Sequence, residues 1–148
     1  MNKSKITIIT IVLSCVIVTA LGQSNYIKGA YHLPKQHRQE IITRLNLLIE
    51  YERTGQYELQ YNLIDKEVIR SNGWAKEEYV LRQKERAANT GVIQTISLEK
   101  VIKLDENHIG IGGTAKMHYR DQKVSQSIGI VATLQEGQWH FGFGFVET

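Results

Sequence analysis

The sequence predicts an α+β fold in which three N-terminal helices pack on a curved four-stranded antiparallel meander. Three observations carry this. Apolar residues recur at helical spacing from Ile41 to Ile49, and after Gly91 the apolar period changes to two. The helical and strand patterns do not interleave, which argues α+β rather than a parallel sheet with crossover helices. The closing stretch WHFGFGF places rings at 139, 141, 143 and 145, all on one face of a strand, with His140, Gly142 and Gly144 on the other.

The chain opens with Lys3 and Lys5 and no acid, followed by an apolar or small run from Ile6 to Leu21. Ala20-Leu21-Gly22 puts small residues before a cut at Gln23, so residues 1–22 read as a cleaved secretion signal. A transmembrane anchor is the alternative, but the sixteen residues of the run fall short of the roughly 20 a spanning helix needs. Val12-Leu13-Ser14-Cys15 loosely resembles a lipoprotein box, which would make Cys15 a lipidation site. Apolar and small residues continue from Val16 to Leu21, where a lipoprotein turns polar, so a cysteine inside a signal helix is the favoured reading. After the cut no cysteine remains, and the fold rests on its core without a disulfide.

The full chain carries 18 basic and 15 acidic residues, net +3. Losing Lys3 and Lys5 leaves 16 against 15, so the remaining domain is nearly neutral. Net charge gives a nucleic-acid partner no support.

Residues 23–34 read as an extended leader, and 35–148 as one domain. Pro34 suits the start of a first helix. Ile41, Ile42, Leu45, Leu48 and Ile49 form its apolar face, opposed by Arg38, Glu40, Arg44, Glu50 and Arg53, and Gly55 stops it. Residues 56–64 read as a shorter second helix with Tyr57, Tyr61 and Ile64 on one face. Residues 65–70 read as a short strand or an extended link, and Asn72-Gly73 as a turn. Residues 74–88 are rich in helix formers and give the third helix, closed by Asn89-Thr90-Gly91.

The first long strand covers 92–104, with Ile96, Leu98, Ile102 and Leu104 in phase and Val101 out of phase. Asp105-Glu106-Asn107 is a tight hairpin loop. Ile109, Ile111, Ala115, Met117 and Tyr119 mark the inward face of the second strand. Asp121-Gln122-Lys123 turns the chain into a third, with Ile128, Ile130, Ala132 and Leu134 in phase. Glu136-Gly137-Gln138 leads to WHFGFGF. Small residues on one face and large ones on the other let such a sheet curl around its large side, cupping the helices with a cavity between.

The order of elements resembles the nuclear transport factor 2-like superfamily, the cystatin-like cone. The residues carrying the resemblance are 41–64 as a helical pair, Lys76-Glu77-Glu78-Tyr79 opening the third helix, and Gly137-Gln138-Trp139-His140-Phe141 as the last turn and strand. It covers roughly residues 35–148 and implies a cone-shaped α+β fold. The superfamily includes isomerases, dehydratases and secreted binding modules. Its enzymes use an Asp base or an Asp–His pair inside the cone. Here the inward sheet positions carry no acid or base apart from Tyr119, whereas a general base needs a titratable group in reach of substrate.

The candidate pocket-lining residues are therefore Tyr57, Tyr61, Asp65, Trp74, Tyr79, Tyr119, Trp139, Phe141 and Phe143. For each, packing is the plain structural role: tyrosines bury rings and leave hydroxyls at a rim, and Asp65 is a helix-end or turn residue. Five histidines invite a metal, but His108 and His118 lie about 33 Å apart on one strand, and His118 and His140 read as exposed surface residues. Gly110 to Gly113 lacks the following helix a phosphate loop needs. No metal or cofactor is expected.

The expectation is a secreted or periplasmic, non-catalytic domain that binds a small apolar ligand or a partner protein. The alternative is a small lyase or isomerase with its acid–base group at the cone mouth, from Asp65, Tyr57 or Tyr61. Thr114, Ser125, Ser127 and Thr133 give the outer sheet face a smooth polar surface for a homodimer. A membrane-anchored protein follows if the signal stays uncleaved or Cys15 is lipidated.

Overall fold

The structure, a computed structural model, describes residues 25–147. The secretion signal, the cut at Gln23, the membrane-anchor alternative and Cys15 lie outside them. The described chain begins on the sheet. Ile27–Lys28 is a two-residue strand, β1, pairing in parallel with β2 (Val92–Lys103) through Ile27 opposite Ile96. A 3₁₀ turn at Ala30–His32 follows, and Ile27 and Leu33 are both buried in the core. From Asn25 onward the leader is part of the domain rather than an extension from it.

Four helices follow, one more than the sequence predicts. In α1 (Arg38–Arg53), Ile41, Leu45, Leu48 and Ile49 are buried, as their spacing requires. The short α2 (Tyr57–Tyr61) comes next. Residues 65–70, read as a strand or link, form most of α3 (Lys66–Asn72). Val68 and Ile69 favour a strand by propensity, but the caps decide. The Asp65 carboxylate accepts the Glu67 N–H at 2.8 Å, and Gly73 ends the helix in the left-handed region at φ 64°. The last helix, α4 (Lys76–Thr90), starts two residues after Trp74.

The sheet is five-stranded and mixed rather than four-stranded, in the order β1-β2-β3-β4-β5. β3 (His108–Tyr119), β4 (Gln122–Gln135) and β5 (Gln138–Phe145) continue it antiparallel from β2. Register shifts at Gln94 and Glu99 mark bulges in β2. A bulge reverses the face of every residue beyond it. Ile93, Ile96 and Leu98 are buried, Val101 packs against the core, and Ile102 and Leu104 turn outward, 49% and 57% exposed. The even-numbered phase expected through Leu104 therefore fails after Glu99.

The concave face meets α1. Ile109, Ile111, Ala115 and Met117 of β3, Ile128, Ile130 and Ala132 of β4, and Trp139 and Phe141 of β5 are all buried there. The free edge of β5 is closed by residues 63–65. The Asp65 N–H donates to the Phe141 carbonyl at 2.9 Å, and the Phe141 N–H to the Leu63 carbonyl at 2.8 Å. This removes an unpaired strand edge.

β2 and β3 approach so closely at the second bulge that a Cβ on Gly113 would lie 2.1 Å from the Ser97 carbonyl oxygen. At Gly112 the nearest atom, the Lys100 Cβ, is 4.0 Å away. Gly113→Ala should lower the unfolding free energy by about 1–3 kcal/mol, the usual cost of overpacking. Gly112→Ala should stay within about 0.5 kcal/mol of the parent. Urea unfolding of the two variants checks the contrast, and equal effects would contradict this packing.

Candidate functional site

A cleft of about 100 Å³ lies between α3, α4 and the end of β5. Val68 and Ile64 form one wall, Trp74 and Tyr79 another with Gln83 and Arg86 of the same helix as Tyr79, and Phe143, Phe145 and the glycines of β5 the third. It forms because the aromatic row of β5 loses its cover towards the C-terminus. Trp139 and Phe141 are fully buried, while Phe143 and Phe145 are half-buried. A Cβ on Gly142 would meet the Val68 Cγ2 at 3.0 Å, so this glycine lets α3 sit close against the strand.

Behind the cleft lies a polar network that the sequence reading missed. The Glu52 side chain has no exposed surface, and the Arg86 Nη2 donates to its two oxygens at 2.5 and 2.7 Å. The Gln60 amide donates to the Glu52 Oε2 and to the Leu48 carbonyl, both at 3.2 Å. The Tyr79 hydroxyl donates to the Gln60 Oε1 at 2.7 Å. Arg86 also reaches the Gln83 Oε1 through Nε at 2.9 Å, and its guanidinium carbon lies about 6 Å from the Phe143 and Phe145 ring centres. A signal for Glu52 exists. It follows Leu45, Leu48 and Ile49 at the spacing of their apolar stripe, which aims its carboxylate into the core.

The network makes the cleft floor electrically quiet. Arg86 reaches the cleft already paired with Glu52, so it presents no uncompensated charge there. Burial, reinforced by Glu52, pushes the Tyr79 hydroxyl far above its ordinary range, so it stays protonated. Tyr57 is raised for the same reasons. Removing one member of a buried pair strands the other. Glu52→Ala should therefore cost about 3–5 kcal/mol of stability. The double variant Glu52→Leu with Arg86→Met should recover most of that loss, because an apolar pair carries no stranded charge. Thermal unfolding of the three proteins checks the order.

The structure separates the predicted pocket residues. Trp74, Tyr79 and Phe143 line the cleft. Tyr61 stacks edge-on to Tyr79 with ring centres 5.5 Å apart, and Tyr57 is buried at the start of α2. Phe141 is core. Tyr119 sits at the end of β3 under Arg120, whose guanidinium carbon lies 5.0 Å from its ring centre. Trp139 packs edge-on to His37 at 5.2 Å, and Arg44 Nε donates to its carbonyl at 2.5 Å. Its buried indole N–H has no partner among the described residues.

Asp65 lies outside the cleft. Besides capping α3, it accepts the Thr133 hydroxyl at 2.6 Å and the Gln135 amide at 2.9 Å. Burial works to raise its pKa, but these bonds outweigh it and hold the carboxyl below the usual carboxylate range. His140, expected on the surface, is 6% exposed, with Arg44, Lys66 and Asp65 close enough to act on its charge. Burial, with the nearby charges of Arg44 and Lys66, lowers its pKa. The unfolded chain thus binds more protons than the fold, and stability present above the unfolded value is lost as pH falls. Stability should decline once pH drops below about 6.5, with a further loss below the carboxylate range from Asp65. His140→Gln should abolish the first decline and keep the second, as read from unfolding midpoints across pH.

No family model matches the chain, and no curated protein matches it either. Solved structures do. A protein of unknown function from Shewanella oneidensis, described as NTF-2 like, superposes with TM-score 0.52 at 9% identity, over 70% of this chain and 92% of that one. A SEC-C motif-containing protein from Rhodopseudomonas palustris gives TM-score 0.53 at 8% identity, over 72% and 78%. At these identities the likeness shows the fold alone, and that fold is the α+β cone of the nuclear transport factor 2-like proteins.

Proposed function

We propose that this protein is a secreted or periplasmic domain that binds rather than catalyses, taking the apolar tip of a small ligand in the cleft at Trp74, Phe143 and Phe145. One observation carries the reading: the cleft is lined mainly by apolar side chains, and its one charged lining residue, Arg86, is already paired with the buried Glu52. Catalysis by proton transfer needs a free titratable group. Tyr79 is held protonated, and Asp65 is engaged as a cap elsewhere. The volume sets the ligand's size. About 100 Å³ is less than the roughly 150 Å³ of a dry cavity that holds benzene. A ring edge or short alkyl chain fits, with the rest of the ligand outside.

A second reading rests on the convex sheet face. Ile102, Leu104, Val131 and Val146 are exposed there. The glycines 110, 112, 129 and 144 leave the floor between them flat. This surface suits a second copy of the chain or another protein.

Mass spectrometry of the protein from its own cells separates the two. An increment present under native conditions, lost on denaturation and absent from a Val68→Trp variant, supports the cleft reading. A native monomer without any increment overturns it. A native dimer without an increment moves the function to the convex face.

A further inference from the structure

Unpaired cations gather at one end of the sheet. β1 runs parallel to β2, so Asn25 emerges where β2 begins, which is also where β3 turns into β4. At this end Lys116 of β3 and Lys123 of β4 stand on the convex face, with His118 beside them and Thr95 and Ser125 in register with Lys116. They border an open depression of about 340 Å³. Arg53 closes α1 at the same end, its Nη1 2.6 Å from the Gln94 Oε1. Arg120 forms the turn together with the acidic Asp121. Lys116, Lys123, Arg120 and Arg53 are exposed, and among the described residues none is paired with an acid. The turns at the opposite end carry Asp105, Glu106 and Glu136, with Lys103 at the end of β2 and Lys66 bridged to Glu136 at 2.7 Å.

We propose that the cationic end docks on an anionic membrane surface, with Lys116, Lys123, Arg120 and Arg53 facing the headgroup phosphates. Two features beyond the charge point to a bilayer rather than to a dissolved anion. The cations are spread over two strands, a turn and a helix end, which suits a plane. The chain also leaves the domain at this end, where the apolar run Ile6 to Leu21 precedes it. Residues 22–24 separate that run from Asn25 and span at most about 10 Å. A retained run therefore holds this end of the sheet beside the bilayer, with Lys116 and Lys123 two and three strands across from β1. This surface is separate from the cleft, and its docking belongs to the chain that keeps residues 1–22, the membrane-anchored alternative to a cleaved domain.

The test uses the full chain with Cys15→Ser, reconstituted in vesicles. An environment-sensitive dye is placed on Gln122→Cys at the cationic end or on Glu106→Cys at the acidic end. Vesicles are phosphatidylcholine alone or with phosphatidylglycerol. In anionic vesicles acrylamide quenching should fall severalfold at position 122 and stay unchanged at position 106, with neither change in neutral vesicles. Lys116→Ala and Lys123→Ala should each weaken this docking about fivefold. About 1 M salt, which shortens the Debye length to about 3 Å, should release the unsubstituted surface. Equal quenching at position 122 in both lipids overturns the proposal, as does protection that salt does not reverse. A dye response to inorganic phosphate alone, matched by none to anionic vesicles, also overturns it in favour of a free-anion site.

Discussion

The Glu52–Arg86 pair organises the helical half of the molecule. Glu52 comes from the last turn of α1 and Arg86 from the end of α4, and Gln60 of α2 fills the remaining side. The Ile93 N–H approaches the same carboxylate at 3.4 Å from the start of β2. Four elements thus converge on one buried group. A buried pair is a poor source of net stability, since desolvation offsets most of its attraction. Its value here is directional: an apolar contact would tolerate sliding of α4 along α1, whereas a two-oxygen contact fixes one register. That register in turn sets where Tyr79 and Trp74 stand over the β5 rings.

The sheet contributes the complementary constraint. Each bulge in β2 turns the strand and increases its twist, and the close approach at Gly113 admits no side chain. The sheet therefore curves around α1, and its concave side fills with Ile, Met, Trp and Phe. Curvature also exhausts the cover for β5. α1 reaches Trp139 through Arg44, and residues 63–65 reach Phe141, but past Phe141 only α3 and α4 remain to shield the rings. The cleft is the place where the cone runs out of its own side chains.

The fold was legible where one face of an element is buried and its residues repeat without interruption. α1, β3, β4 and β5 are of that kind. The reading failed where a single residue changes the phase. The bulge at Glu99 leaves no mark beyond Val101, which looks like noise in an alternating pattern until the strand is seen to switch faces. Residues 65–70 failed for a related reason. Their β-branched pair outweighed Asp65 and Gly73, yet seven residues with both ends capped gain more from the caps than Val and Ile lose in a helix. At the site, the aromatic members were legible and the polar ones were not. Glu52 reads as the solvent side of a helix unless its place on the apolar stripe is noticed, and its partner lies 34 residues away.

The same reasoning bears on why the inward sheet positions carry no acid. A titratable group on the concave face would need its own buried partner, and the concave face already meets an apolar stripe of α1 at every level from Ile41 to Ile49. The one carboxylate at the end of that stripe is matched by an arginine from a different helix, so the fold resolves its buried charge at the boundary of the core. Asp65 shows the same solution at the other end of β5, with the α3 N-terminus, Thr133 and Gln135 as its partners. Both carboxylates are consumed in holding helices to the sheet. What is left facing the cleft, beside Gln83 and the already paired Arg86, is apolar surface, and apolar surface selects by shape and size.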